Sequence, residues 1–155
     1  MFVFAMAVSV NAVAAELTVG SKVEAFALSD QFDGKLELTA RTRLVLFTRE
    51  KDAAAMVFGV LGEKEKSFLA DRQAHFALDI SPMPRIIAWA VAKPRMRQHA
   101  FRFMLDASGE TTRSFPGKAG QVTLLYLNEL VVEKIAFVAT AADLKKELEG
   151  LPPAH

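Results

Sequence analysis

Two short runs of apolar residues restrict the fold more than any other feature of the sequence. They are Arg43-Leu-Val-Leu-Phe47 and His75-Phe-Ala-Leu-Asp-Ile80. A β-strand that is covered on both faces has a nearly continuous apolar sequence, whereas a strand with one solvated face alternates. Residues 53–70, between the runs, have helical periodicity, and Gly59 and Gly62 allow two shorter helices there. The pattern predicts two central strands of an α/β fold, joined by helix.

The segments on either side predict further strands and helices. Residues 23–28 and 35–38 alternate around an Asp33-Gly34 turn, which is typical of a β-hairpin. Ser81 and Pro84 suit the start of a helix, and Pro94 suits its end. The remaining predicted elements are this helix over residues 85–92, a strand over 101–105 with a return strand over 110–115, a hairpin of strands 121–127 and 131–138, and a last helix over 141–149 capped by Thr140. They predict a mixed sheet flanked by helices.

The chain has the length of one domain and an almost balanced charge. Its 155 residues are 52% hydrophobic, with 19 Lys+Arg against 18 Asp+Glu. This composition excludes a disordered or collagenous protein, and the net charge of +1 argues against a dedicated nucleic-acid binder. We expect one domain over residues 16–150 and a C-terminal tail over residues 151–155.

The first fifteen residues are typical of a secretory signal peptide. Residues 1–15 carry no charged side chain, and a short apolar run is followed by the small residues of Asn11-Ala-Val-Ala-Ala15. The run is too short to span a bilayer, which takes about 20 apolar residues. No Lys or Arg precedes it, and the alternative is a buried first strand or helix of a cytosolic domain. We expect export, and the lack of cysteine is consistent with a Gram-negative periplasm.

The predicted hairpin and first central strand resemble a known superfamily. Residues 20–35, Gly-Ser-Lys-Val-Glu-Ala-Phe-Ala-Leu-Ser-Asp-Gln-Phe-Asp-Gly-Lys, are similar to the Gly-x-x-x-Pro-x-Phe-x-Leu-x-Asp opening of peroxiredoxins and related thiol-disulfide proteins, with Glu24 at the proline. Residues 44–47 match the strand that leads into the active-site loop, residues 103–109 a later strand and turn, and residues 123–138 the closing hairpin. The resemblance implies a thioredoxin-like three-layer sandwich, in which helices flank a mixed central β-sheet with an N-terminal β-hairpin.

The chain contains no cysteine, and this removes the chemistry of the proteins it resembles. Thioredoxins have Cys-x-x-Cys after the central strand, and peroxiredoxins have a cysteine in the first turn of the next helix. This chain has Thr48-Arg-Glu-Lys-Asp-Ala-Ala-Ala55 there, and Gly120-Gln121 replaces the family's proline before the third core strand. A threonine hydroxyl cannot act as a thiolate or reduce peroxide. Thiol-disulfide exchange and cysteine peroxidase activity are therefore excluded for this chain alone, and we predict no catalytic residue.

Two groups of polar residues are candidate binding sites. The first, the vestigial active-site loop, is expected at a helix N-terminus, which attracts anions. Its members are Thr48, Arg49, Glu50, Lys51 and Asp52. Arg49 and Lys51 would hold the anion. The alternative, which we favour, is a solvated turn in which Asp52 caps the helix.

The second group, the basic segment, lies in a stretch without Asp or Glu between Asp79 and Asp106. Its members are Arg85, Lys93, Arg95, Arg97, His99 and Arg102, with Trp89 and Phe101 flanking them. It is typical of a contact for an acidic partner, an anionic ligand or lipid head groups. The alternative is an exposed helix end whose cations complement the helix dipole.

Neither a metal nor a cofactor is predicted. The three histidines have no metal-ligand spacing, and the scattered methionines at apolar positions are typical of core residues. A triad of His75, Asp79 and Ser81 lacks any oxyanion feature. Gly117-Lys-Ala-Gly120 lacks the strand-loop-helix context of a nucleotide loop.

Three functional hypotheses follow. The first is an exported thioredoxin-like protein without thiol redox activity that acts as an interaction or ligand-binding module for a protein or a small anionic ligand. The second is an oxidoreductase, or a subunit of one, that uses a bound cofactor such as flavin. The third is a peripheral envelope protein that is held at a membrane surface by its basic segment, without a transmembrane span.

Overall fold

The computed structural model describes residues 15–154. The predicted signal peptide, residues 1–15, therefore lies outside the described residues except for Ala15. Among residues 15–154, no helix is long and apolar enough to cross a bilayer.

Seven strands form one mixed sheet. The strands are β1 (Phe26–Asp30), β2 (Lys35–Leu38), β3 (Leu44–Thr48), β4 (Ala74–Asp79), β5 (Met104–Asp106), β6 (Val122–Asn128) and β7 (Val131–Val138). Their order across the sheet is β2-β1-β5-β4-β3-β6-β7. Strands β3, β4 and β5 are parallel, and the other neighbours are antiparallel. The predicted α/β class, mixed sheet, flanking helices and N-terminal hairpin are confirmed.

Strand β3 lies near the middle of the sheet because both of its faces are apolar. All five of its residues are buried. Leu44 and Leu46 belong to a core cluster that includes the buried residues of the helices α1 (Lys51–Gly62), α2 (Phe68–Asp71) and α5 (Ala141–Glu149). Val45 and Phe47 belong to a second cluster on the other face, where connecting segments contribute Val23 and Phe115. The continuous apolar run is thus explained by burial on both sides.

The predicted helix over residues 85–92 does not stop at Pro94. Helix α3 (Arg85–Ile87) continues into a π-helical turn (Ala88–Ala92) and then into α4 (Lys93–Met96), and we call the whole run the 85–96 helix. In an α-helix, proline removes one i→i−4 hydrogen bond and its ring clashes with the preceding turn. A π turn adds a residue to the helical repeat at that point, so the proline is accommodated in the first turn of α4. The prediction that Ser81 caps this helix is also wrong, because the residue before α3 is Pro84.

Two predicted strands are shorter or absent. Strand β5 (Met104–Asp106) overlaps the predicted strand 101–105 only at residues 104 and 105, and residues 110–115 form turns instead of a return strand. The carboxylate of Asp106 is the cause of the turns, since it accepts hydrogen bonds from the N–H of Gly109 at 3.0 Å and from the N–H of Thr112 at 2.8 Å. These bonds wind the chain back on itself. The predicted cap of the last helix is confirmed, because Thr140 Oγ1 accepts from Asp143 N–H at 3.1 Å.

Candidate functional site

The vestigial active-site loop joins the end of β3 to the start of α1, as predicted. Thr48 is the last residue of β3 and is 2% exposed. Its hydroxyl is buried without a hydrogen-bond partner in the described part of the chain. Lys51 and Asp52 begin α1 and are exposed. The fold thus brings the predicted loop to a helix N-terminus, and the hydroxyl of Thr48 is buried beside it.

Arg49 binds to the protein itself and is not free to hold an anion. Its Nε lies 3.3 Å from Oδ2 of Asp79, which is 6% exposed at the end of β4. Its Nη2 donates to the carbonyl oxygen of Thr112 at 2.8 Å, and its guanidinium lies 4.8 Å from the centre of the Phe47 ring. Arg49 therefore joins the ends of two parallel strands to the loop after β5.

Glu50 closes the other side of the loop. It precedes α1, but its carboxylate makes no capping bond to the helix. Instead, Oε2 accepts the N–H of Gly120 at 2.9 Å, in the segment where the sequence lacks the family's proline. Asp52 does not cap the helix as predicted, since it lies inside the first turn. The cleft that remains here, beside Gln121, has a volume of about 140 Å³.

The basic segment is divided between paired and unpaired cations. Lys93 forms an ion pair with Asp33, and Nη2 of Arg97 lies 3.0 Å from Oδ2 of the same carboxylate. Arg102 forms an ion pair with Asp30. Three of the six predicted residues thus hold the turn between β1 and β2 against the 85–96 helix and the segment after it.

The paired carboxylates are stabilised in their charged form. Burial by itself would raise the pKa of Asp30, but hydrogen bonds from Arg102 and from the N–H groups of Gly34 and Phe32 lower it below its ordinary value of 3.8. The hydrogen bond from Lys93 lowers the pKa of Asp33 in the same direction. These pairs therefore persist at neutral pH.

The other members of the basic segment differ from one another. His99 stacks on Phe58 with a ring-centre distance of 4.3 Å, and burial lowers its pKa below 6.5. Arg85 and Arg95 are exposed, and no carboxylate within residues 15–154 forms an ion pair with either. The cations that remain available to a ligand are thus at the two ends of the 85–96 helix.

The 85–96 helix and strands β1 and β5 enclose a groove that the sequence analysis missed. The apolar groove, as we call it, has a volume of about 870 Å³. Its apolar lining includes Leu28, Ile80, Met83, Ile86, Trp89 and Leu105. Ile86 and Trp89 are 81% and 77% exposed, although side chains of this kind are usually buried. The sequence feature that indicates the groove is Ile86-Ile-Ala-Trp-Ala-Val91, an apolar run that periodicity alone assigns to an ordinary helix.

The remaining candidates do not form a site. In the described part of the chain, no group of three His, Asp or Glu residues is placed to hold a metal ion. His75 and Asp79 lie four residues apart on β4, about 13 Å along the strand. The N–H of Ser81 donates to Oδ1 of Asp79 at 2.9 Å. His75, Asp79 and Ser81 therefore do not converge into a triad.

No protein-family model and no curated protein sequence matches the chain. Solved structures do match it over most of its length. The peroxidoxin BcpB of Mycobacterium tuberculosis is 14% identical with a TM-score of 0.55, and the match covers 88% of this chain and 99% of that one. A thio-disulfide isomerase of Thermus thermophilus is 19% identical with a TM-score of 0.53, over 90% of this chain and 100% of that one. A peroxiredoxin-like protein of Aquifex aeolicus is 10% identical with a TM-score of 0.55, over 90% and 91%.

Identities this low establish the fold and not the activity. They confirm the resemblance that the sequence carries in residues 20–35 and 103–109. The cysteine on which such chemistry depends is missing from the whole sequence. The chain therefore has the thioredoxin-like fold of peroxiredoxins and thiol-disulfide oxidoreductases, without the cysteine on which their catalysis rests.

Proposed function

We propose that this chain is a binding module without thiol redox activity, and that its ligand is a small amphiphile with an apolar body and one anionic group. The ligand occupies the apolar groove. The observation that carries the proposal is a groove of about 870 Å³ whose wall leaves Ile86 and Trp89 largely exposed. Small-molecule sites have volumes of about 300–1,000 Å³ and mostly apolar linings.

The charges in the groove support an anionic group on the ligand. Three carboxylates and two cations line it, but the carboxylates are already engaged. Asp30 and Asp33 are in ion pairs, and Asp106 accepts hydrogen bonds from its own loop. Arg85 is the lining cation without a carboxylate partner in residues 15–154. An anionic group of the ligand would supply the missing partner of Arg85.

Trp89 makes the proposal directly testable, because it is the single tryptophan of the chain and lies in the groove wall. We would titrate the protein with monomeric decyl phosphate and with decanol, and follow the emission of Trp89. Both ligands should shift the emission to the blue and saturate, since both remove the indole from water. The phosphate ester should bind more tightly, by about tenfold for one charge-assisted contact.

Two arginine variants form a matched pair. Arg85→Gln should remove the preference for the phosphate ester and leave the affinity for decanol unchanged. Arg95→Gln removes the same charge outside the groove lining and should retain the preference. A titration without saturation for either ligand would exclude the groove as the site. A visible absorption band of the purified protein would instead favour the oxidoreductase hypothesis with a bound flavin.

We also propose that the protein is exported to the periplasm, on the basis of the uncharged, apolar residues 1–15. Expression in a Gram-negative host should yield a periplasmic protein that begins near Glu16. The mass and the N-terminal sequence of the purified protein test this. A protein that keeps Met1 and stays in the cytosolic fraction would contradict export.

A further inference from the structure

We propose that the 85–96 helix docks on an anionic lipid bilayer, with Ile86 and Trp89 at the depth of the head groups and Arg85 and Arg95 against lipid phosphates. This inference rests on the proposed function, because the bilayer would be the source of the amphiphile that enters the apolar groove.

The first observation is how much apolar surface the helix leaves uncovered. Ile86, Ile87, Trp89 and Val91 are exposed by 81%, 48%, 77% and 47%. The turn between β1 and β2 adds Phe32, which is 48% exposed. Large apolar side chains that are exposed together on one short helix indicate a site of association. Tryptophan is enriched at membrane interfaces because its ring is apolar and its N–H is polar.

The second observation is the charge around that surface. The stretch 80–105 contains five Lys or Arg residues and no Asp or Glu. Arg85 immediately precedes the apolar run, and Arg95 lies one turn beyond it. Neither has a carboxylate partner in residues 15–154, so both are available to an anionic surface. An apolar face with cations at its border is typical of helices that lie in a membrane interface.

The third observation is the lack of hydrogen-bonding side chains. Between Arg85 and Lys93 the helix offers only apolar residues, and the indole N–H of Trp89 is their single polar side-chain group. Interfaces between proteins contain about one hydrogen bond per 100–200 Å². A bilayer requires none, since the backbone of a helix satisfies itself. This favours lipid over an acidic protein.

A second copy of the chain is a poorer partner for this surface, because like charges would face each other. A two-fold contact through this face would place Arg85 and Arg95 of one copy against the same surface of the other. No acidic residue in the stretch 80–105 would neutralise them. An anionic bilayer supplies the missing charge.

The experiment uses vesicles of phosphatidylglycerol and phosphatidylcholine, with pure phosphatidylcholine for comparison. The protein should float with the anionic vesicles at low salt and separate from them at high salt, because exposed charges are screened. The fluorescence emission of Trp89 should shift to the blue on binding and be quenched by brominated acyl chains. Pure phosphatidylcholine should bind much more weakly.

Paired variants separate this surface from net charge. The double variant Arg85→Gln, Arg95→Gln should bind anionic vesicles about thirtyfold more weakly, as expected for two cations near the membrane surface. The double variant Arg41→Gln, Lys66→Gln removes the same charge from exposed positions outside the helix and should bind as the native chain does. Ile86→Ser should weaken binding without removing charge.

Several results would overturn the proposal. They are equal binding to both kinds of vesicle, unchanged binding of the Arg85/Arg95 variant, or a dimer without lipid in which Trp89 is buried. If poly-glutamate shifts the emission of Trp89 as much as anionic vesicles do, the result would overturn the proposal in favour of an acidic protein partner. If decyl phosphate binds in the groove and vesicles do not bind, the docking proposal fails and the proposed function stands. If neither binds, both fail.

Discussion

Nε of Arg49 lies 3.3 Å from Oδ2 of Asp79 and joins the ends of the parallel strands β3 and β4. The arginine is 35% exposed at its side chain and the aspartate 6%. The ion pair thus joins a partly exposed cation to a buried carboxylate. The consequence for stability can be measured.

Replacing Arg49 by Met should lower the free energy of unfolding by about 2 kcal/mol, because it leaves the buried Asp79 carboxylate without its charged partner. Urea unfolding followed by circular dichroism measures this. Arg113→Met is the control, since the ion pair of Arg113 with Glu110, at 3.6 Å, is largely exposed and its loss should cost less than about 0.5 kcal/mol. Equal losses in the two variants would contradict the prediction. A double-mutant cycle with Asp79→Asn should give a coupling of about 1 kcal/mol.

The buried side chain of Gln31 makes hydrogen bonds to the backbone of the segment before β5, as a neighbouring strand would. Its Nε2 donates to the carbonyl oxygen of Phe101 at 2.7 Å, and its Oε1 accepts the N–H of Phe103 at 3.2 Å. Gln31→Leu should lower the free energy of unfolding by about 2–4 kcal/mol, since two buried backbone groups lose their partners. Urea unfolding of the variant measures the loss.

The isosteric change Gln31→Glu tests the same bonds through pH. A carboxylate can still accept from Phe103 but cannot donate to Phe101, whereas a protonated carboxyl can do both. The variant should therefore gain stability as pH falls towards the range where the carboxyl protonates. Gln98→Glu makes the same change at an exposed position. If the two variants have the same pH profile, the Gln31 bonds do not contribute as described.

The two described histidines should make the native protein less stable in mild acid. Burial lowers the pKa of His75 and of His99 below the ordinary 6.5, so the unfolded chain binds more protons than the folded one around that pH. Their contribution is complete above pH 6.5 and decreases as pH falls through the lowered folded pKa values. Urea midpoints at about pH 8 and about pH 5 should show the decrease. His99→Phe keeps the stacking on Phe58 and should make this loss of stability smaller. If the urea midpoint of the variant changes with pH as much as that of the native chain, the loss does not come from His99.

The start of α1 should still activate a thiol. Because the chain has no cysteine, a single one can be introduced without interference. Asp52→Cys lies in the first turn of the twelve-residue α1 and should have a thiol pKa below about 8.5, since the helix N-terminus favours the thiolate. The thiol pKa of Glu149→Cys, at the last residue of α5, should not be lowered. The rate of alkylation against pH measures both, and identical profiles would show that this helix end has no such effect.

Local pattern was sufficient for much of the fold. The run at residues 43–47 predicted a strand covered on both faces, Asp33-Gly34 predicted the hairpin turn, and Thr140 predicted the start of the last helix. Each depends on neighbours in sequence, through alternation, turn geometry or a cap. Two predictions were wrong: the helix end at Pro94 and the return strand over residues 110–115. A π turn and the hydrogen bonds of Asp106 overrode the local preference at these two places.

The sequence alone determined the residues that alternate, the turns that reverse the chain and the absence of any thiol. Only the tertiary structure decided which cations are free and where a ligand fits. Arg97 is separated from Asp33 by 64 residues and Arg102 from Asp30 by 72, so their pairing depends on the path that brings the β1–β2 turn against the segment around the 85–96 helix. The apolar groove arises between those same segments. Such contacts depend on the packing of distant elements, which short-range periodicity does not encode.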